Sequence, residues 1–498
     1  MSRCTAKKVR GQLALWSVLP SGQGAWGSPE DWKGRRVHFI GIGGIGMSGL
    51  ARLLRDNGSV VTGCDAVASE ITASLVDAGV PVWVGHSPEH LDNTDVVITS
   101  AAVRDTNPEL CAARRRGLRV VKYAQALGAL MAGRDGVAVA GSHGKTTTTS
   151  MIAYALNVAK RDPAMVIGGL VPQLGGNARA GGGRPFVVEA CEYDRSFLNL
   201  TPRAAVITNI DRDHLDYYSG LDELVEAFAC FAGRVRADGL VAVNGDDPRA
   251  LRAAARASAR VETFGESQGC TWRLEEWHRE NGVTRFRVSH GGCTIGEFQL
   301  LVPGLYNVKN AIACLAVCRH FGLAEDETRE ALRTFRGVRR RFDRLGEANG
   351  VIVLDDYGHH PTEVRVTLDA VRAEFPGRRL WCVFQPHQCS RTRILLKEFA
   401  TSFAAADRVI VPDIYSVRDS DADRRSIHSR DLVRELQRSG VAAQYEGAFD
   451  RVVGLLLGIV EPGDLVMTMG AGPVDRVGRC LLDELKNRQR KGELASRS

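Results

Sequence analysis

Short apolar runs recur along the chain, each closed by glycine or a polar cluster and each followed by a helical pattern. Residues 36–40 (RVHFI) read as a strand. Gly41-Ile42-Gly43-Gly44-Ile45-Gly46 then opens a helix to Arg55, with Leu50, Leu53 and Leu54 on one face and Asn57-Gly58 as the stop. Further strands are expected at 59–63, 80–84, 95–99 and 118–121, and helices at 71–78, 108–116 and 124–131. Residues 131–136 read as a linker.

The alternation resumes with a strand at 137–140 and an apolar helical stretch at 151–156. Glycines at 175, 176, 181, 182 and 183 precede a strand at 186–190 whose end carries Glu189, with Glu192 and Asp194 beyond it. A strand at 204–208 ends in Asn209-Ile210-Asp211-Arg212-Asp213-His214-Leu215-Asp216. Turn signals at Asn281-Gly282 and Gly291-Gly292 make residues 271–301 hairpins capping a domain. The turn Pro303 to Asn310 opens a helix to Phe321. Strands then follow at 351–355, 380–384, 408–412 and 465–469, and a charged tail from Lys486 is expected to fray. Strands alternating with helices specify parallel sheets covered on both faces. The fold class is therefore α/β, in three domains at 35–132, 133–337 and 338–498, with 1–34 as a disordered N-terminal extension.

Chemistry concentrates at the strand ends. Gly141, Ser142, His143, Gly144, Lys145, Thr146 and Thr147 lie between a strand and a helix, the layout of a phosphate-binding loop. Backbone N–H groups and the helix N-terminus would face a polyphosphate, Lys145 would add a mobile charge, and Thr146 a hydroxyl for magnesium. Val139 stands where the general motif has its first glycine, so the competing reading is a glycine turn with a surface lysine. Gly41, Gly43, Gly44, Ile45 and Gly46, with Asp65 downstream, form a second anion-binding turn. It suits a dinucleotide or the diphosphate of a UDP-sugar equally well. Thr146, Glu189 and His214 come from three strand ends and resemble a nucleotide–Mg²⁺ site, although imidazole is a less common ligand for that ion. Asn307 and Asn310 can bond a base edge or simply build their turn. Arg333, Arg336, Arg339, Arg340, Arg341 and Arg344 crowd the last junction and read as anion contacts facing a cleft; no aromatic interleaving supports nucleic acid.

Composition changes this picture little. With 498 residues, 44% of them hydrophobic and 25% charged, the chain is of ordinary globular character and too long for one core. No run approaches a membrane span, and a charge of +7 suits small anionic substrates. Twelve cysteines without a CxxC pair, such as Cys191, Cys314 and Cys382, read as buried reduced thiols of a cytoplasmic protein, with no spacing that supports a metal cluster. Lys7, Lys8 and Arg10 before the seven-residue run at 13–19 only faintly resemble a secretory signal.

Taken in order, HFIGIGGIGMSGLA, AGSHGKTTTTSM, EACEYDRSFL, TNIDRDHLDYY, GVRRRFDRLG, DDYGHHPTEV and FQPH with SRT closely resemble the Mur ligase family over residues 36–475. HFIGIGGIGMSGLA and DDYGHHPTEV point to its L-alanine-adding branch. The resemblance implies an N-terminal Rossmann-like UDP-binding domain, a central P-loop ATPase-type domain and a C-terminal Rossmann-like domain that brings the amino acid. It implies peptidoglycan precursor synthesis: ATP activates the carboxylate of UDP-N-acetylmuramate as an acyl phosphate, and L-alanine attacks it. By the same resemblance Glu189 and His214 fall at magnesium positions, Asn307 and Asn310 at the adenine turn, and Arg340 at the nucleotide. His359, His387 and Arg391 fall where the last domain meets the amino acid, and no sole general base emerges among them.

Tyr306 departs from the histidine usual in the adenine turn, Tyr123 and Gln125 replace Arg and Glu, and Pro473 replaces an acid. Sister ligases use a carbamylated lysine, whereas no lysine occurs here between Lys160 and Lys309. The competing readings are a ligase of the same fold that adds a whole tripeptide, a nicotinamide-dependent oxidoreductase, and a nucleotide-sensing module with a dead site.

Overall fold

The computed structural model describes residues 29–214, 217–417 and 419–495. Its first sheet holds β1 (Arg36–Ile40), β2 (Val60–Asp65), β3 (Val82–Val84), β4 (Val96–Thr99) and β5 (Arg119–Lys122), all parallel in the order β3-β2-β1-β4-β5. Helix Ile45–Asp56 buries Leu50, Leu53 and Leu54 and ends at Asn57, before the left-handed Gly58 (φ 89°). The supposed extension is ordered at its end. Trp32 is buried in the first core, and its carbonyl accepts a hydrogen bond from Ser59 Oγ at 2.7 Å. Residues 1–28 lie outside the described residues.

The central sheet contains β6 (Asp135–Ala140), β7 (Ala164–Val171), β8 (Gly176–Arg179), β9 (Pro185–Glu189), β10 (Ala204–Ile207), β11 (Leu240–Asn244), β12 (Arg260–Gly265), β13 (Trp272–Glu280), β14 (Val283–His290) and β15 (Cys293–Leu300). Their order is β15-β14-β13-β12-β11-β10-β6-β9-β7-β8, with antiparallel pairs only at the two edges. Asn281-Gly282 and Gly291-Gly292 turn through positive φ as their residue types require. The hairpins they close extend the central sheet instead of forming a separate cap. β7, β8, β11 and β12 have no counterpart in the expectations above, and β6 begins at Asp135, inside the expected linker.

The last sheet runs β16 (Asp343–Ala348), β17 (Val351–Asp356), β21 (Leu465–Met469), β18 (Leu380–Phe384), β19 (Arg408–Val411), β20 (Ala443–Tyr445), parallel except for β16–β17. The tail does not fray at Lys486. Helix Asp475–Ala495 buries Leu481, Leu482 and Leu485, and Arg488 Nη1 donates to Leu457 O at 2.7 Å. Apolar spacing on its inner face outweighs the charge of its outer one.

Between the second and third sheets the chain bends through Gly337 (φ 97°), Arg340 (φ 61°) and Phe342 (φ 49°). Among the described residues no helix is long and apolar enough to cross a membrane. Cys64, Cys314 and Cys382 are buried, but Cys191, expected to be so, is exposed because it follows the end of β9.

Candidate active site

β10, β6 and β9 are neighbours in the central sheet, so their carboxyl ends place three loops side by side. The loop after β6 turns at Gly141 (φ 139°) and Gly144 (φ 81°) into helix Lys145–Val158. A Cβ on Gly141 would collide with Thr208 Oγ1, and one on Gly144 would lie 2.9 Å from Asn310 Oδ1. Glycine is therefore required at both positions by conformation and by space. The loop is braced from the next strand end, where Asn209 Oδ1 accepts from His143 N at 2.9 Å.

Lys145 folds back on this loop. Its ammonium donates to the carbonyls of Gly141 and Ser142 and lies 3.0 Å from Glu192 Oε1. Burial alone would lower its pKa, but Glu192 outweighs that and raises it. Thr146 Oγ1 donates to Glu189 Oε2 at 2.9 Å, and Gly168 N donates to the same oxygen at 3.0 Å. Gly168 has no room for a side chain because Glu189 occupies the space, which explains a glycine within β7.

His214 comes to this loop from the third strand end, in a left-handed conformation (φ 55°). Its Nε2 lies 3.4 Å from Glu192 Oε1 and 3.7 Å from Asp213 Oδ2. The expected magnesium set thus divides: Thr146 with Glu189 on one side, His214 with Glu192 and Asp213 on the other, and Lys145 between them. Glu192 is the residue the expectations left out. Its burial is complete, and its Oε2 has no hydrogen-bond partner. A buried carboxylate oxygen without a donor, in a ring of hydroxyl and carboxylate oxygens, fits a hard divalent cation.

A cavity of about 360 Å³ opens beside the loop, lined among others by Gly144, Thr147, Tyr306, Asn307, Asn310 and Arg341. Asn307 is held by its own turn, donating from Nδ2 to Pro303 O at 2.7 Å, and its Oδ1 accepts from Asn310 Nδ2 at 3.2 Å. Arg340, expected at the nucleotide, is bound up within the last domain and does not line the cavity. Its guanidinium binds Asp355 at 3.0 Å and the carbonyls of Gly470 and Gly472 at 2.7 and 3.0 Å. Of the six junction arginines, Arg341 lines the cavity. Arg333 and Arg344 pair with Glu330 and Glu347 on the surface, so the arginine-rich junction supplies one cleft cation, not six.

The last domain closes over the loop. His143 Nε2 lies 3.2 Å from Asp211 Oδ2, and its Nδ1 lies 3.3 Å from Glu363 Oε1. Thr362 Oγ1 donates to Asp211 Oδ2 at 2.7 Å. Arg391 Nη2 donates to Asp213 Oδ1 at 2.8 Å, while its Nη1 lies 3.0 Å from His387 Nδ1. The His359 and His387 rings stand 5.6 Å apart, edge to face. Burial pushes His359 down to about 4, with Arg391 adding to burial and Glu363 opposing it. His359 is therefore a neutral acceptor at neutral pH.

Burial would lower His143, but its hydrogen bond to Asp211 and the nearby carboxylate of Glu363 prevail and raise it to about 9. A histidine held above its unfolded value of about 6.5 stabilises the fold fully below that pH, and the contribution disappears as pH rises through about 9. Thermal melts from pH 6 to 10 are expected to show a loss of stability that sets in above about 6.5 and is nearly complete by about 9, and that is reduced in His143→Asn. Superimposable parent and variant profiles would contradict this role.

The first domain adds its glycine turn. Gly41 is left-handed (φ 83°), and Gly43 N donates to Asp65 Oδ2 at 2.8 Å, so Asp65 braces the turn from within. Gly44 caps helix Ile45–Asp56, and a Cβ on Gly46 would lie 3.0 Å from the Tyr123 hydroxyl. Asn177 Nδ2 donates to Ile45 O at 2.7 Å, and Lys122 Nζ reaches Asp194 at 2.7 Å. These contacts hold the glycine turn against the central domain. Tyr123 is raised by burial first and then by the negative charge of Glu189, so the junction before the linker borders the loop site.

Residues 36–135 match the family description "Mur ligase family, catalytic domain", residues 139–318 "Mur ligase middle domain" and residues 340–472 "Mur ligase, glutamate ligase domain". The chain belongs to the Mur ligase family. Among relatives of this Mur ligase, the UDP-N-acetylmuramate–L-alanine ligase of Caldanaerobacter subterraneus subsp. tengcongensis is 41% identical, over 91% of this chain and 98% of the relative. The protein of that name from Trichlorobacter lovleyi is 42% identical over 90% and 99%. The crystal structure of UDP-N-acetylmuramate–alanine ligase from Thermotoga maritima superimposes with a TM-score of 0.78 at 29% identity, covering 91% of this chain and 99% of that one. A murein peptide ligase from Psychrobacter arcticus gives 0.72 at 25% identity, with 91% and 99% covered.

Proposed function

We propose that this Mur ligase joins L-alanine to the lactyl carboxylate of UDP-N-acetylmuramate, cleaving ATP to ADP and phosphate, as a step of peptidoglycan precursor synthesis. Full-length relatives of that name support the reading. The observation that carries it is the convergence of three strand-end clusters. A diphosphate turn, a lysine loop with its carboxylates, and a neutral histidine near an arginine lie on three domains packed together through the Asn177–Ile45 and Arg391–Asp213 contacts.

The carboxylate oxygen attacks the γ-phosphorus of ATP, ADP leaves, and the resulting acyl phosphate has phosphate as its leaving group. The amine nitrogen then attacks the carbonyl carbon, and collapse of the tetrahedral intermediate expels phosphate. Lys145, released from the Gly141 and Ser142 carbonyls, neutralises the transferring phosphoryl group alongside the loop N–H groups. Mg²⁺, when bound by Thr146, Glu189, Glu192 and His214, supplies charge that allows two anions to approach. Asn307, Asn310 and Tyr306 form the wall for the adenine. His359, uncharged, takes the proton that the amine nitrogen sheds once its bond to the carbonyl carbon has formed, and Arg391 faces the developing oxyanion and the amino acid's carboxylate.

The rival of the same fold adds a preformed tripeptide. Phosphate release is measured with UDP-N-acetylmuramate and ATP, offering L-alanine in one arm and the tripeptide in the other. L-alanine is expected to drive release and amide formation, and turnover with the tripeptide alone would reverse the assignment. A change in nicotinamide absorbance without ADP release would favour the oxidoreductase.

A further inference from the structure

We propose that the first domain carries a second metal site, a thiolate–imidazole–carboxylate centre for a divalent ion of the zinc type, built by His38, Cys64, His86 and Glu109. These donors come from the middle of β1, the end of β2, the loop after β3 and the first turn of helix Pro108–Arg115. Their spacing in the chain follows no ligand motif, which is why sequence spacing gave no hint of them.

The parallel sheet gathers them. Cys64 Sγ donates to Glu109 Oε2 at 2.6 Å and lies 3.2 Å from His86 Nδ1, and His86 Nδ1 is 3.0 Å from the same carboxylate oxygen. On the other side, His38 Nε2 stands 3.5 Å from Glu109 Oε1. Donor atoms of His38, Cys64 and Glu109 all fall within 4.8 Å of one another. The His38, Cys64 and Glu109 side chains are fully buried.

Three features mark this as more than a hydrogen-bonded knot. First, His38 Nε2 is buried and has no hydrogen-bond partner, and it points at the carboxylate. Its other nitrogen is tied to Thr62 Oγ1 at 2.9 Å, the outer contact that orients a ligating imidazole. Second, His90 Nδ1 lies 2.6 Å from Glu109 Oε1 and stacks on Trp83 at 4.8 Å, which fixes the carboxylate from outside the donor set. Third, the His86 side chain retains 22% exposure, an entry path into an otherwise closed cluster.

Charge favours the same answer. Cys64 as thiolate and Glu109 as carboxylate would bring two negative charges into a buried site, and one divalent cation neutralises both. On binding, the Cys64 S–H proton leaves to solvent, the sulfur–metal bond forms, and nothing is oxidised or reduced. Sulfur and imidazole donors select zinc-type ions over magnesium, so this centre is chemically separate from the oxygen-rich loop site. Zinc bonds of about 2.0–2.3 Å in a tetrahedron require donors to sit about 3.3–3.8 Å apart, so Cys64, His86 and Glu109, now 2.6–3.2 Å apart, need to spread by about 1 Å, with the His38 ring moving in from the opposite side to complete the set.

The site lies directly behind the diphosphate turn. Cys64 O accepts from Gly41 N and Ile42 N at 2.9 and 3.0 Å, and the neighbouring Asp65 accepts from Gly43 N. A metal here would pin β2 and set the turn.

The full chain, stripped with a chelator, is titrated with Co²⁺ in the presence of excess Mg²⁺. One equivalent is expected to give a sulfur-to-cobalt charge-transfer band with tetrahedral ligand-field bands, and Zn²⁺ to bleach both. Cys64→Ser is expected to abolish the charge-transfer band, and His86→Ala, at a partly exposed position, to weaken cobalt binding at least tenfold. Circular dichroism melts of each variant establish that it is folded, and His86→Ala alone carries the test if Cys64→Ser is not. A parent protein without the band overturns the proposal. So does a band that persists in folded Cys64→Ser, or unchanged affinity in folded His86→Ala.

Discussion

Lys145→Ala is expected to cut ligation by about a thousandfold, while calorimetric binding of UDP-N-acetylmuramate without ATP stays within about threefold. The expected separation follows from where each charge is used. Lys145 sits at the head of helix Lys145–Val158 with its ammonium on loop carbonyls and Glu192. The glycine turn that suits the sugar nucleotide belongs to another sheet, braced by Asp65. Removing the lysine leaves Glu192, already buried, with no cation until magnesium arrives. Parent-like turnover in this variant would overturn the loop assignment. Equal loss of sugar-nucleotide binding would show that the two domains do not bind independently.

Arg391→Ala is expected to lower kcat by about a hundredfold and to open the cleft between the central and last domains. Arg391 and Asp213 are both almost fully buried and meet at 2.8 Å across that cleft. Breaking a buried pair by deleting one member strands the other charge, at a cost of about 3–5 kcal/mol. The cost falls on the closed form, because opening lets Asp213 hydrate. Small-angle scattering with ATP analogue and UDP-N-acetylmuramate should show a larger radius of gyration than the parent, and Arg391→Lys should recover part of kcat. A closed, fully active Arg391→Ala protein would contradict the role given to this pair.

The parts of the site legible in the sequence were those with a local cause. Gly141 and Gly144 are recognisable because the turn needs positive φ, and Lys145 and Thr146 because a helix must begin there. The hairpin turns at Asn281-Gly282 and Gly291-Gly292 were equally plain, although their partner, the edge of the central sheet, was not. β7 was hidden by Gly168 and Gly169, which break its apolar pattern; at Gly168 the cause is Glu189, 21 residues later in the chain. Glu192 was visible as an acid after a strand, yet nothing local distinguished it from Asp194. Only the fold shows that one is buried against Lys145 and the other pairs with Lys122 at the surface. Arg340 and Arg341 are adjacent in sequence and both lie over the Tyr357 ring, yet Arg340 is spent on Asp355 and the Gly470 and Gly472 carbonyls while Arg341 lines the cavity. The cluster around Glu109 was invisible because its members, from two strands, a loop and a helix, meet only in the folded domain.

The bend between the second and third sheets determines where the enzyme can move. Arg340 is clamped to Asp355 and to the carbonyls of Gly470 and Gly472, and Phe342 N donates to Asp356 at 2.8 Å. The second half of the elbow is thus welded to the last domain and travels with it. Upstream, Arg336 N and Arg339 N are fastened to Gln173 and Leu170 of the central domain. Rotation is left to the few bonds between Arg339 and Arg340, flanked by Val338 and Arg341, which both line the cavity beside the phosphate loop. The axle of the door is therefore part of the room it closes, and filling that room with nucleotide presses directly on the joint that swings the last domain shut.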